Sequence, residues 1–212
     1  MAHKPIERRF APADIAIERR EDGTSILRGH AAVWFRKKDP GTEYQLWSDT
    51  VERIEAGAFA KALADKQDTR ALFNHDASAV LGRTAAGTLR LSEDKRGLLY
   101  EIDLPDTQLA RDLAASIERG DVSGSSFSFT VAREEWRVEK NREIRTILEV
   151  GTLYDVGPVT FPAYTSTDAG IRAAGECDEA RQSRERWRRQ QRNRRIAKLS
   201  ELGLTNYRPP VG

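Results

Sequence analysis

The stretch TQLARDLAASIERGDVSGSSFSFTV, residues 107–131, decides the predicted fold because a helical pattern changes here into a strand pattern. Leu109, Leu113 and Ile117 recur every four residues, which places three apolar side chains on one face of a helix. Gly120 fits the end of that helix, since glycine accepts the left-handed backbone that often closes one. The sequence therefore predicts an amphipathic helix that leads directly into a strand.

The predicted strand has two different faces. Alternate residues of a strand point to opposite sides, so its apolar and hydroxyl side chains separate. The apolar face would carry Phe127, Phe129 and Val131, and the hydroxyl face Ser126, Ser128 and Thr130. A helix, a glycine turn and a serine at the start of a strand can present a hydroxyl and backbone N–H groups to one point, as a serine nucleophile requires. An ordinary turn rich in small residues is the alternative interpretation.

Strand patterns dominate the rest of the first 170 residues or so. Short alternating or apolar segments between turn residues predict about seven strands, with two or three helices among them. Short turns between successive strands favour antiparallel pairing. We expect an α+β fold: a closed or nearly closed, mostly antiparallel β-barrel with surrounding helices, followed by a basic helical C-terminal tail.

Composition divides the chain of 212 residues into three parts. Residues 1–12 predict a flexible arm, residues 13–172 the β-barrel domain, and residues 173–212 a basic tail that is helical or disordered. Residues 177–199 hold nine Arg or Lys against three Asp or Glu, a net charge of +6. The whole chain carries +2 and residues 200–212 are neutral, so the body carries −4. This asymmetry indicates different roles for body and tail.

Several classes of protein are disfavoured by the composition. No run of about 18 apolar residues is present, which argues against a transmembrane helix. The N-terminus lacks the apolar segment of a secretory signal. The single cysteine, Cys177, rules out an intrachain disulfide and a cysteine-based zinc site, and three histidines disfavour a histidine-rich metal site. We therefore expect a protein of a reducing cytoplasm.

Three further positions offer catalytic side chains. His75 follows a buried strand pattern and can act as a general base near neutral pH. Glu149 and Asp155 share one face of a predicted strand about 20 Å apart, at roughly 3.3 Å per residue, so only one of them can reach a given histidine. A carboxylate behind an imidazole fixes its tautomer and stabilises its charged form. Each of these residues, taken alone, also fits a solvated surface position.

Five segments in a fixed order carry a resemblance that none of them carries alone. They are GHAAVWF (29–35), VERIEAGAFAKAL (51–63), ALFNHD (71–76) with VLGRT (80–84), RGDVSGSSFSF (119–129) and LYDVGPVTFPAY (153–164). From about Arg19 to Thr167 the chain resembles the prohead maturation proteases of tailed bacteriophages, which are related in fold to the herpesvirus assemblin proteases. The resemblance implies a serine endopeptidase.

Roles for individual residues follow from the same resemblance. The family's nucleophile is the second serine of a pattern like Ser-Gly-Met-Ser-Phe-Gly-Phe, which matches Ser126 here. Ser125 stands where a larger apolar residue is usual and is the alternative, although strand parity favours Ser126. The resemblance implies His75 as the general base and Asp155 as the third member, with Glu149 in reserve.

Peptide hydrolysis through an acyl-enzyme is the activity that the resemblance implies, with no metal and no cofactor. The implied substrates are the scaffolding domain of the major capsid protein and the protease itself, inside the assembling procapsid in the host cytoplasm. The basic tail would contact the capsid scaffold and be removed by self-cleavage, and a helix such as 107–119 could join two copies into a homodimer. Two alternatives stay open: a non-catalytic assembly scaffold of the same fold, and nucleic-acid binding by the tail.

Overall fold

The computed structural model describes residues 6–12, 15–161 and 178–201. Its strands are β1 (Glu7–Pro12), β2 (Ala16–Arg19), β3 (Ser25–Val33), β4 (Tyr44–Trp47), β5 (Thr50–Ile54), β6 (Arg70–Leu72), β7 (Val80–Arg83), β8 (Leu89–Glu93), β9 (Gly97–Asp103), β10 (Gly124–Glu139) and β11 (Arg142–Val159). Its helices are α1 (Ala60–Ala64), α2 (Gln108–Glu118) and α3 (Asp178–Glu201), with 3-10 turns at Pro40–Thr42 and Thr84–Ala86. The chain divides into two units, Met1–Cys177 and Asp178–Gly212.

Two sheets make up the described part of the first unit. The larger sheet has the order β1-β10-β11-β5-β4, with β6 added to β11 and β7 to β6, and the smaller has the order β2-β3-β9-β8. The long antiparallel hairpin of β10 and β11 is the centre of the larger sheet. Lys140 and Asn141 form its two-residue turn, both with positive φ.

The mixed α+β class with mostly strands is confirmed. The closed or nearly closed barrel is not confirmed, because both sheets are open within the described residues. Within the described residues, β1, β4 and β7 remain edges of the larger sheet. The sheet branches because β11 accepts two parallel neighbours, β5 along one end and β6 along the other. Turn residues in the sequence reveal antiparallel hairpins, whereas these parallel pairs join strands that are far apart along the chain.

The flexible arm predicted for residues 1–12 is wrong for residues 7–12, which form β1 and pair antiparallel with β10. Glu7, Arg9 and Ala11 alternate along β1 and are all buried. The polar composition and the two prolines of residues 1–12 suggested an exposed segment. In the folded protein the alternation of side chains along the strand directs Glu7 and Arg9 inward, where ion pairs compensate their burial.

A buried ionic cluster connects β1 to the rest of the larger sheet. Arg9 donates to Glu7 and to Glu52, each at 2.5 Å. Arg145 is fully buried and donates to Glu7 at 2.6 Å, to Glu52 at 2.8 Å and to Glu134 at 2.6 Å. Burial alone would raise the pKa of Glu7, but the two guanidinium groups lower it to about 2. The cluster therefore holds β1, β5 and β11 together through charges that are matched inside the protein.

Helix α2 follows its sequence pattern. The side chain of Thr107 accepts a hydrogen bond from the backbone N–H of Ala110 and so caps the start of the helix. Leu113 and Ile117 are buried on one face, as the spacing of four predicts. Gly120 has a φ of +84°, a conformation that favours glycine, and it turns the chain toward β10.

The start of β10 anchors the core. Phe127 and Phe129 are fully buried and stack with ring centroids 4.7 Å apart. Phe59, from the turn before α1, packs its ring against Phe127 at 5.5 Å in an edge-to-face arrangement. Because the phenylalanines occupy the core face, Ser126 and Ser128 lie on the opposite face of the strand.

Helix α3 is the described part of the second unit, and it carries all nine Arg and Lys of the basic segment. A helix over much of this segment agrees with the predicted helical tail. Residues 173–177 and 202–212, which the prediction also covered, lie outside the described residues. Neither α3 nor any other described helix has the length and apolar character needed to cross a bilayer.

Candidate active site

Three different elements bring His75, Ser126 and Asp155 together. The Nδ1 atom of His75 lies 2.5 Å from Oδ1 of Asp155, and its Nε2 atom lies 2.5 Å from Oγ of Ser126. Ser126 is in β10 and Asp155 in the neighbouring β11, while β6 pairs with β11 at Asp155 and leads into the turn that holds His75. The three side chains thus form one continuous chain of hydrogen bonds.

The turn after β6 holds His75 in an uncommon backbone conformation. Asn74 and His75 both have positive φ, +54° and +59°, which costs of order 1 kcal/mol for a residue such as histidine. Asn74 stabilises the turn: its amide donates to Oγ1 of Thr160 at 3.1 Å and accepts from the Thr160 backbone N–H at 2.9 Å. The Asn74 backbone N–H also donates to the carbonyl of Pro158. These bonds fix the turn to the end of β11.

Gly157 allows β6 to approach β11 closely. A Cβ atom at this position would lie 2.1 Å from the backbone carbonyl oxygen of Leu72, far inside contact distance. Gly157 also pairs with Ser126 in the register of β10 and β11. Any larger residue there would displace β6, and with it His75, from Ser126.

The protons of the three side chains can be placed from their partners. An ionised Asp155 only accepts hydrogen bonds, so Nδ1 of His75 carries the proton and donates it to the carboxylate. Nε2 is then an acceptor and can take the hydroxyl proton of Ser126. Exposure of the side chains is 8% for His75 and 12% for Asp155, so little water competes for these bonds.

Strand β1 contributes a second contact to Ser126 that the sequence analysis missed. The Ser126 hydroxyl lies 2.9 Å from the backbone carbonyl of Arg9, which can also accept its proton. A hydroxyl has one proton, so it donates either to Arg9 or to His75. Phe10, the next residue, places its ring edge-to-face with the His75 imidazole, 6.1 Å between centroids. The sequence offers no clear signal for these contacts, because residues 7–9 are all charged and show no alternation of polar and apolar side chains.

Ser128 is another contact that was not identified. Its hydroxyl is buried and lies 3.1 Å from Nδ1 of His75, the nitrogen that also faces Asp155. Ser128 pairs with Asp155 across β10 and β11, so the register places both beside the imidazole. The strand alternation that favoured Ser126 also put Ser128 on the same face, and that was the signal for it.

The two alternative residues point elsewhere. Ser125 lies on the core face, where its hydroxyl is 2.7 Å from the phenol oxygen of Tyr100. Burial raises the pKa of Tyr100, so that phenol stays neutral. Glu149 lies 4.0 Å from Arg133 on the neighbouring strand. Neither side chain is brought to His75.

The described residues contain no group of three or more His, Cys, Asp or Glu side chains that could hold a metal ion.

Comparison with known proteins connects this geometry to a family. The family model described as caudovirus prohead serine protease matches residues 13–183, which is most of the chain. The chain belongs to the caudovirus prohead serine proteases. The matched residues include His75, Ser126 and Asp155, whereas β1 and most of α3 lie outside them. The resemblance drawn from the five sequence segments is therefore confirmed at the level of the family.

Individual relatives give the extent of the likeness. The chain is 32% identical to the prohead protease of Enterobacteria phage HK97 over 156 residues, which cover 72% of this chain and 61% of that protein. It thus spans about three fifths of the length of this curated relative. Among solved structures, the bacteriophage T4 capsid assembly protease, gp21, is similar with a TM-score of 0.38 and 12% identity, covering 72% of this chain and 98% of that one.

Proposed function

We propose that this prohead protease family member is a serine endopeptidase in which Ser126 is the nucleophile, His75 the general base and Asp155 the carboxylate that orients it. The observation that carries the proposal is the unbroken chain of hydrogen bonds from Asp155 through His75 to Ser126, at 2.5 Å each. A nucleophile, a base within hydrogen-bond distance and a third group behind the base are the arrangement that acyl transfer requires.

The first half of the reaction forms the acyl-enzyme. Nε2 of His75 takes the hydroxyl proton as Oγ of Ser126 attacks the scissile carbonyl carbon, and the carbonyl oxygen becomes negatively charged. Asp155 stabilises the imidazolium that forms. Nε2 then gives its proton to the leaving amine, the C–N bond breaks, and the acyl group stays on Ser126 as an ester.

Hydrolysis of the ester repeats these steps with water. His75 takes a proton from water, the hydroxide oxygen attacks the ester carbonyl, and the proton returns to Oγ of Ser126 as the acid is released. Substrate must first reach Ser126, which is fully buried and bonded to the Arg9 carbonyl. Productive binding therefore requires that the Ser126 hydroxyl donates to His75 and no longer to β1.

Capsid protein and the protease itself are the substrates that the family membership favours. The proposed protease cleaves the scaffolding domain of the major capsid protein and its own chain inside the assembling procapsid, in the host cytoplasm. We include the basic tail from about residue 177 in this proposal as a targeting segment that contacts the scaffold and is removed by self-cleavage. A chain that ends at Gly175 and still enters proheads would contradict the targeting role.

Mass spectrometry of the purified chain over time tests the nucleophile. The wild-type chain should shorten, first within the tail, whereas a Ser126→Ala chain alone should stay intact. Addition of the wild-type protein to a tagged Ser126→Ala chain should shorten the tagged chain, which gives an intermolecular assay with a measurable KM. Co-expressed capsid protein supplies the procapsid environment if the isolated chain is inactive.

Ser125→Ala is the matched control, because it removes a neighbouring hydroxyl that faces Tyr100 rather than His75. It should shorten at nearly the wild-type rate. Loss of activity in Ser125→Ala together with normal activity in Ser126→Ala would reassign the nucleophile. No cleavage by the wild-type chain, even beside capsid protein, would favour a non-catalytic assembly role.

A further inference from the structure

A groove of about 810 Å³ lies at the far end of the β10–β11 hairpin. The loop after β3 and the tip of the hairpin form its walls. Its lining includes Ile144 of β11 and a group of charged side chains from the loop and the hairpin tip. Ile144 and Asp155 lie on the same strand, eleven residues apart, which is about 36 Å at 3.3 Å per residue. The groove is therefore separate from the proposed catalytic residues.

Part of the positive charge in this groove is neutralised within it. Arg53 pairs with Glu43 at 2.6 Å and with Glu139 at 2.9 Å. Arg137 pairs with Glu139 at 2.8 Å, and Arg142 lies 3.6 Å from Glu43. The hydrogen bond from Arg53 lowers the pKa of Glu139, which keeps this carboxylate charged. These pairs form a fixed wall in which acids and bases alternate.

Four cations are left over. Arg36, Lys37, Lys38 and Lys140 are exposed and make no salt bridge within the part of the chain that the structure describes. They stand in the body of the chain, which carries a net −4, so their grouping is a local reversal of its charge. Exposed cations around a groove attract anionic partners and steer their approach.

We propose that this groove binds an extended, acidic segment of a partner protein. Separate carboxylates along a peptide can meet the separate cations, whereas the continuous charge of a nucleic acid would also meet Glu43 and Glu139. The aromatic side chain of the groove, Phe35, has the Arg53 guanidinium 4.0 Å from its ring centroid, so one face of the ring is already occupied and is not available for stacking a base. The distribution of charge therefore fits an acidic peptide.

If the proposed function holds, the partner protein is a substrate of the protease. This step of the inference rests on that function. A substrate anchored by an acidic segment would be held at high effective concentration near Ser126 while its cleavage site enters. The groove would then select proteins that carry such a segment, and the cleavage site itself would need little sequence specificity. Binding at the groove can be measured without cleavage, so the two proposals can fail separately.

Fluorescence anisotropy of a labelled peptide in which glutamates are spaced by serine and glycine tests the groove on the full-length Ser126→Ala chain. Reversal of three charges in Lys37→Glu/Lys38→Glu/Lys140→Glu should weaken binding about tenfold, because several cations contact one ligand. The control Lys66→Glu/Lys95→Glu reverses two exposed lysines outside the groove and should leave the affinity unchanged. A second control, Arg188→Gln/Arg189→Gln/Arg192→Gln, reports binding by α3.

Carbodiimide cross-linking of the peptide, read by mass spectrometry, should mark Lys37, Lys38 and Lys140. Equal losses of affinity in the groove variant and the lysine control would overturn the proposal, and so would a loss confined to the α3 variant. Tighter binding of an oligothymidine that depends on the same three lysines would also overturn it, since it would make the groove a nucleic-acid site.

Discussion

Two buried polar clusters share strand β1 but lie on opposite faces of it. On the core face, Glu7 and Arg9 of β1 join Glu52 and Arg145. On the other face, Phe10 and the Arg9 carbonyl meet His75 and Ser126. The alternation of side chains along β1 thus contributes both to the buried ionic cluster and to one wall of the candidate site.

The two clusters differ in whether each hydrogen-bonding group has a fixed set of partners. In the ionic cluster each guanidinium meets carboxylates and each carboxylate meets a guanidinium, so no proton can move without exposing a buried charge. In the candidate site the chain of bonds ends at the Ser126 hydroxyl, whose single proton has two acceptors, His75 and the Arg9 carbonyl. The comparison indicates that burial and short contacts alone do not make a reactive site. A reactive site also needs a group, such as the Ser126 hydroxyl, whose proton has more than one acceptor.

Replacement of Asp155 by Asn should have the largest effect. An amide can donate to Nδ1 of His75 and so stabilise the tautomer that has its proton on Nε2, which cannot take the Ser126 proton. We expect kcat to fall about 10⁴-fold with little change in stability. The intermolecular assay on the Ser126→Ala chain measures it.

Glu149→Gln is the matched control for Asp155→Asn, because it changes the other acid of the same strand, near Arg133. It should retain activity within about twofold, the range usual for an exposed ion pair. An equal loss in both variants would exclude Asp155 as the orienting carboxylate.

The sequence predicted those parts of the fold that depend on local periodicity. The spacing of four in α2, Gly120 and the phenylalanine alternation of β10 each appear in the structure as expected. The choice of Ser126 over Ser125 followed from the same alternation. Sheet closure depends instead on which distant strands pair, and the branching at β11 has no signal in local pattern.

Strand β1 shows why part of the site could not be predicted. A charged residue at a buried position is stable only when an opposite charge is paired with it. The partner of Glu7, Arg145, is 138 residues away along the chain, so the sequence does not reveal the pair. Ser128 was missed for a related reason. Its contact with His75 depends on the register between β10 and β11, which is irregular just after Ser128.

Glu7→Gln should have the second largest effect, on stability. It removes one carboxylate from the buried cluster and leaves Arg9 and Arg145 with less compensation, which should cost roughly 3 kcal/mol of the free energy of unfolding at pH 7. The folded-state pKa of Glu7 is lowered from 4.5 to about 2, so its charge stabilises the fold above about pH 4.5. That stabilisation is lost as the pH falls from 4.5 toward 2.

Urea unfolding of the wild type and Glu7→Gln at several pH values measures this difference. The gap between the two should narrow as the pH falls through this window. Glu18→Gln, which changes an exposed glutamate of β2, should stay within about 0.5 kcal/mol of the wild type. A gap that is the same at pH 7 and at pH 2 would mean that shape, rather than charge, makes Glu7 stabilising.

Ser128→Ala should have the smallest effect and gives the finest test of the site. The Ser128 oxygen is a second acceptor beside Nδ1 of His75, and loss of one such hydrogen bond is worth about 1 kcal/mol, or roughly fivefold in kcat. KM should not change, since Ser128 is buried and orients the base rather than the substrate. Ser128→Thr keeps the hydroxyl and should restore the rate.

Because Ser128 and Asp155 face the same nitrogen of His75, the effects of the two substitutions on kcat should not add. In the Asp155→Asn background His75 already favours the wrong tautomer, so Ser128→Ala should reduce kcat much less there than in the wild type. Fully additive losses would mean that Ser128 supports the strand and does not position the imidazole.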